Sequence, residues 1–176
     1  MLRTRRSRLI ACLAAGGLAA CVGVLGVRIA MGRSAQLEAR EGEIAEFAEL
    51  PASAANRFLM CPAQLCNVRP DMASPVFDVT WETLRDDWSE IVGHQRRVRL
   101  VAGDGDLGRI TYIQRSPILH LPDLITIQFV PLEGARSTFA VVSQSRYPWP
   151  DLGANRARVE AWVGALVAAE RARVKG

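Results

Sequence analysis

The chain has no acidic residue in its first 33 positions; all 18 lie beyond them. The same opening stretch holds six arginines, Arg3, Arg5, Arg6, Arg8, Arg28 and Arg33. From Ser34 onward 16 basic residues face 18 acidic ones, a net charge of −2, although the whole chain counts +4. A domain built to grip nucleic acid carries its positive footprint on the folded body. The charge distribution argues against that class and assigns the basic excess to targeting. Histidine is scarce too: His94 and His120 stand alone. The four cysteines never form the Cys-x-x-Cys spacing of thiol oxidoreductases, and no second pair stands beside Cys61 and Cys66 to complete a metal set. No Gly-x-Ser-x-Gly elbow occurs, which removes the usual sequence mark of a serine hydrolase.

What is present begins with one long apolar run. Residues 9–31 are interrupted only by Arg28, and these 23 positions suffice to cross a hydrocarbon core of about 30 Å as a helix. Four arginines precede the run, so the positive-inside bias keeps residues 1–8 in the cytoplasm and sends the rest of the chain outward. The expectation is a single-pass bacterial inner-membrane protein with its soluble part in the periplasm. An alternative is a lipoprotein: Leu18, Ala19, Ala20 and Cys21 resemble a lipobox, with Cys21 lipidated and residues 1–20 removed. The residues after Cys21 stay apolar, where a lipoprotein usually turns polar, which favours the uncleaved anchor. Residues 32–55 read as a stalk, with the helix formers Ala, Glu and Leu and a stripe of Ile44, Phe47 and Leu50 ending at Pro51.

The remaining residues, 56–176, suit one domain of ordinary size. Residues 56–71, with two prolines and two cysteines, read as a loop. On the outer side of a membrane a Cys61–Cys66 disulfide is permitted, with free thiols or a metal or redox pair as the other readings. Residues 74–79 read as a short strand. A helix over 80–92 follows, with an apolar stripe of Trp81, Leu84, Trp88, Ile91 and Val92, capped by Asp78 or Thr80 and stopped by Gly93. Strands are expected over 97–101, 109–115, 124–130 and 138–146. The 124–130 stretch has the plainest period of two, with Ile125, Ile127 and Phe129 on one face. The Gly/Asp run at 103–108 is a turn; its spacing does not match a calcium loop. No metal or other cofactor is implied. A closing helix carries a stripe of Leu152, Val159, Trp162, Val163 and Leu166. Runs of strands flanked by helices indicate an α+β fold: an antiparallel sheet of four to five strands with two helices packed on one face, preceded by a single N-terminal transmembrane helix.

Along the last strand Phe139 and Val141 give way on the same side to Ser143 and Ser145, so the apolar layer runs out into a polar corner. Asp151 is placed to cap the closing helix. Arg115, Ser143, Ser145, Arg146, Asp151, Asn155 and Arg156 are the candidate binding residues there. Hydroxyls and guanidinium groups near a helix N-terminus suit an anionic ligand. The same residues also suit pure architecture, with caps and paired ions. A catalytic reading would need Ser143 or Ser145 with His120 and Asp123. The preferred expectation is non-catalytic binding of a protein or lipid partner in the envelope, with a small-ligand pocket as the alternative.

Ser143-x-Ser145-Arg146 followed by Asp151-Leu152-Gly153-x-Asn155-Arg156-x-Arg158-Val159 resembles the closing signature of the DUF1499 family. Cys61-Pro62 with Cys66, Ser74-Pro75-Val76-Phe77, Gln114-Arg115-Ser116-Pro117 and Pro122-Asp123 support the likeness, which spans roughly residues 56–166. The chain is most similar to proteobacterial, membrane-attached members. It departs from them at Tyr147-Pro148-Trp149-Pro150, where members often carry Gly. The resemblance implies a fold and a location, and no established activity.

Overall fold

The computed structural model describes residues 56–63, 65–104, 108–147 and 150–175. The expected anchor at 9–31, the Cys21 alternative and the stalk at 32–55 lie outside the described residues. Among the described residues no helix is long and apolar enough to cross a membrane.

Among the described residues seven elements follow one another: β1 (Arg57–Met60), α1 (Trp81–Gly93), β2 (Val98–Asp104), β3 (Arg109–Arg115), β4 (Pro122–Pro131), β5 (Ser137–Ser145) and α2 (Ala154–Lys175). The strands form one antiparallel sheet in the order β1-β5-β4-β3-β2. β2 to β5 make a meander, and β1 crosses over to close its β5 edge. The α+β class and the antiparallel sheet with two helices stand as expected.

The first strand lies elsewhere than the sequence suggests. Residues 57–60, read as loop, are β1. Residues 74–79, read as strand, hold only one bridge, Phe77 to Ser137, with N···O distances of 2.9 and 3.0 Å. β1 has just four residues, three of them buried, so no alternation marks it. The 74–79 segment has a proline, and after Phe77 it turns at once into α1, whose first turn is capped by the Thr80 hydroxyl accepting from Thr83 N.

Period two sorts the sheet into faces. Phe58, Met60, Ile110, Tyr112, Ile125, Ile127, Phe129, Phe139 and Val141 join Leu84, Trp88 and Val92 of α1 and Val159, Trp162, Val163 and Leu166 of α2 in one core. Both helices therefore cover the same face. Trp88 and Trp162 meet edge to face, with ring centroids 5.6 Å apart. Each large side chain fully removed from water contributes roughly 1.5–3 kcal/mol before entropy is counted, so this layer dominates the stability. On the opposite face Leu59, Ala140 and Val142 are covered by Leu65, Val68 and the bonded pair Cys61–Cys66. The 61–66 disulfide thus pins the segment that roofs the second face.

Leu152 does not belong to the α2 stripe. It is 94% exposed with φ 52°, and Gly153 follows at φ 81°. Two successive left-handed residues form a turn, and α2 begins only at Ala154.

Candidate functional site

At one end of the sheet the helix-facing rows turn polar. Gln114 continues the face of Ile110 and Tyr112, Asp123 that of Ile125 and Ile127, and Ser143 and Ser145 that of Phe139 and Val141. The register aligns Gln114 with Asp123 and Asp123 with Ser145 in one row across β3, β4 and β5. Above this row stands the first turn of α2, and Arg158 reaches down from it. Its Nη2 donates to Asp123 Oδ2 at 2.6 Å, its Nη1 to Ser143 Oγ at 2.6 Å and Asn155 Oδ1 at 2.8 Å, and its Nε to Gln114 Oε1. The Arg158 and Asp123 side chains are only 10% and 11% exposed.

The serines are held in the same network. Ser143 Oγ donates to Asn155 Oδ1 at 2.7 Å, and Ser145 Oγ donates to Asp123 Oδ1 at 2.6 Å. Asn155, fully buried, spreads its amide over Asp151 Oδ2, Asn56 O and Ser145 Oγ at 2.7, 3.0 and 3.2 Å. Asp151 caps α2: its carboxylate accepts from Gly153 N at 3.2 Å and Asn155 N at 3.1 Å. Burial pushes its pKa up, but these donors and the Asn155 amide outweigh burial and hold it below the ordinary carboxylate value. Asn56 ties the start of the domain to this corner, accepting from Asp151 N and donating to Tyr147 O.

Of the seven expected residues, Ser143, Ser145, Asp151 and Asn155 meet in this network. Arg115 lies at its margin, where its Nη1 donates to His120 O at 3.3 Å. Partial burial, and behind it the charge of Arg99, lower the Arg115 pKa. Arg146 follows β5, its N donating to Pro122 O at 3.4 Å. Arg156 points elsewhere: its guanidinium lies 4.7 Å from the Phe58 ring centroid and pairs with Glu160. The hub, Arg158, and its partner Gln114 are not among the candidates, and Asp123 enters there only through the catalytic reading, not as the ion partner of Arg158. The signal for them was available, since the i, i+3 spacing puts Arg158 on the Asn155 face of the helix. Period two extended one residue puts Gln114 and Asp123 beside Ser145. The Ser–His–Asp arrangement does not assemble: both hydroxyls donate to Asn155 and Asp123, and His120 is an exposed loop residue at φ 55°.

Beside the network lies a pocket of about 390 Å³. Pro117, Ile118, Leu119, Leu121, Pro122, Tyr147, Pro150 and Ala154 give it apolar walls, and Ser116, Asp123, Ser145 and Asp151 its polar parts. The 116–121 connection forming one wall is pinned at its base, where Ser116 N donates to Leu121 O at 2.9 Å and Leu121 N to Ser116 Oγ at 3.0 Å. Among the described residues no group of three or more His, Cys, Asp or Glu could hold a metal ion.

No curated protein matches the chain. Residues 60–166 match the model of a family described as a protein of unknown function, DUF1499. The match takes in the disulfide loop, the five-stranded sheet from Met60 onward, both serines, Asp123, Asn155 and Arg158; the chain belongs to the DUF1499 family.

Proposed function

We propose that this protein is a membrane-anchored envelope domain that binds an apolar ligand, a lipid acyl chain, without catalysis. The anchor is the apolar run at 9–31, and the domain faces the periplasm. The pocket beside the α2 N-terminus carries the reading. Its walls are mostly proline, leucine, isoleucine and tyrosine, and about 390 Å³ is the size of a small-ligand site. Its polar floor is closed upon itself. Both oxygens of Asp123 are engaged, by Ser145 and Arg158, so the floor supplies rigid shape rather than a base waiting for a proton. The same engagement weakens the anionic-ligand alternative, because the Arg158 guanidinium already has four acceptors around it.

The test is native mass spectrometry of the full-length protein taken from membranes. Wild type should retain a lipid-sized mass. Ala154→Trp, which places an indole at the pocket wall, should retain none while keeping the wild-type circular dichroism spectrum. A wild-type protein that flies bare under conditions that keep it folded overturns the reading.

A further inference from the structure

The 116–121 connection places Ile118 and Leu119 at 75% and 41% exposure, and Leu152, between two pocket residues, at 94%. Three large apolar side chains at one end of a domain, two of them on a loop pinned by its own hydrogen bonds, call for something to cover them. Positive charge lies in the neighbouring segments. The segments that meet at this end, 94–101, 115–123 and 145–154, carry Arg96, Arg97, Arg99, Arg115 and Arg146 against Asp123 and Asp151. Asp123 is already paired with Arg158 from α2. Arg97 Nε donates to Arg115 O at 3.0 Å and Arg115 reaches the His120 carbonyl, so these guanidinium groups border the apolar loop. The 55 residues preceding the described domain join it here as well, since Asn56 bonds to Tyr147 and Asp151.

We infer that this end of the domain rests on the surface of an anionic lipid bilayer, with Ile118, Leu119 and Leu152 dipping among the acyl chains and the neighbouring arginines on lipid phosphates. Apolar side chains ringed by basic ones are the chemistry of an interfacial contact. A chain that enters the domain beside that contact, and carries a 23-residue run at 9–31 that is apolar except for Arg28, brings the surface to the membrane. The inference rests on the anchored reading for its geometry. The pocket then opens where a lipid chain is to hand.

The experiment uses the full chain in vesicles of phosphatidylcholine with or without phosphatidylglycerol. A photoreactive benzoylphenylalanine replaces Ile118, Leu152 or, as control, Glu133. Glu133 is exposed in the β4–β5 turn, about 30 Å away along a ten-residue strand. Illumination should attach lipid at 118 and 152 and not at 133. The docking equilibrium constant should fall about fivefold with Arg99→Gln, the worth of one basic residue near an anionic surface. Equal lipid attachment at all three positions, attachment of a second protein chain in place of lipid, or none at all overturns the inference. Alkaline extraction of the same vesicles reports the anchor separately. A chain that resists extraction yet gives no lipid adduct at 152, which lies outside the pocket lining, keeps the anchor and loses the contact, whatever a pocket-bound lipid gives at 118. A chain that is extracted loses the anchor, and its adducts still decide whether the surface touches lipid. Pocket occupancy in native mass spectrometry is read independently of both.

Discussion

One residue, Arg158, joins three strands to a helix. It holds Gln114 on β3, Asp123 on β4 and Ser143 on β5 while standing on α2. A guanidinium with planar, forked donors does this where a lysine would not. Both ions of the Arg158–Asp123 pair are about nine-tenths shielded, so removing one leaves the other buried and uncompensated. Arg158→Ala should therefore cost about 3–5 kcal/mol in urea unfolding. The double variant Arg158→Met with Asp123→Leu should cost far less than the sum of the two single changes, because it removes the desolvated charges together. A single-variant cost below about 1 kcal/mol would mean that water screens the pair as it does at a surface. The sequence displayed the pieces of this network without its wiring. Ser143 and Ser145 were legible because period two made them follow Phe139 and Val141. Arg158 was legible only by way of Asn155: alone, an arginine on a helix with charged neighbours looks the same whether it points at solvent or into a sheet, and only the i, i+3 spacing marks its face.

At the level of elements, what the sequence concealed was short or strained. α1 and β3 to β5 could be placed within about two residues, because they are long enough for periodicity to show. β1 could not: a four-residue edge strand buried on both faces carries no alternation. β2 was expected to stop at Val101, ahead of a turn, yet it runs on to Asp104 through a register shift between Leu100 and Ala102. Gly103 makes that continuation possible. At φ 131° it lets the backbone of β3 come so close that a Cβ would stand 2.5 Å from Arg109 O and 2.7 Å from Ile110 Cα. Gly153, at φ 81°, has nothing within 4 Å of the same position. The two glycines thus separate sterics from backbone preference. Gly153→Ala should cost about 1–2 kcal/mol for left-handed backbone alone. Gly103→Ala should cost distinctly more, because backbone atoms must move apart as well. Urea midpoints of the two variants check the order, and equal losses would mean that the β2 bulge relaxes without cost.

For the whole molecule the question is whether the end that carries the pocket can come apart independently of the rest. The arrangement of the core argues that it cannot. α2 packs against α1, β1 and β5, and its buried side chains belong to the same cluster as those of α1 and the sheet. Its first turn is tied through Asn155 to Asn56 and through Arg158 to three strands. Lifting α2 would expose Trp162, open the Trp88 contact and unpair Asp123 in one step. No smaller unit keeps a closed core once α2 is gone, since the helix-facing layer of the sheet would face water over β1 and β5. Unfolding of the domain should therefore be a single transition, with tryptophan fluorescence and far-ultraviolet circular dichroism tracing the same curve against urea. If the helical signal were lost first while the fluorescence of buried Trp88 held, α2 would be a detachable lid. The network around Arg158 would then be a latch that opens the pocket rather than the rigid floor described above.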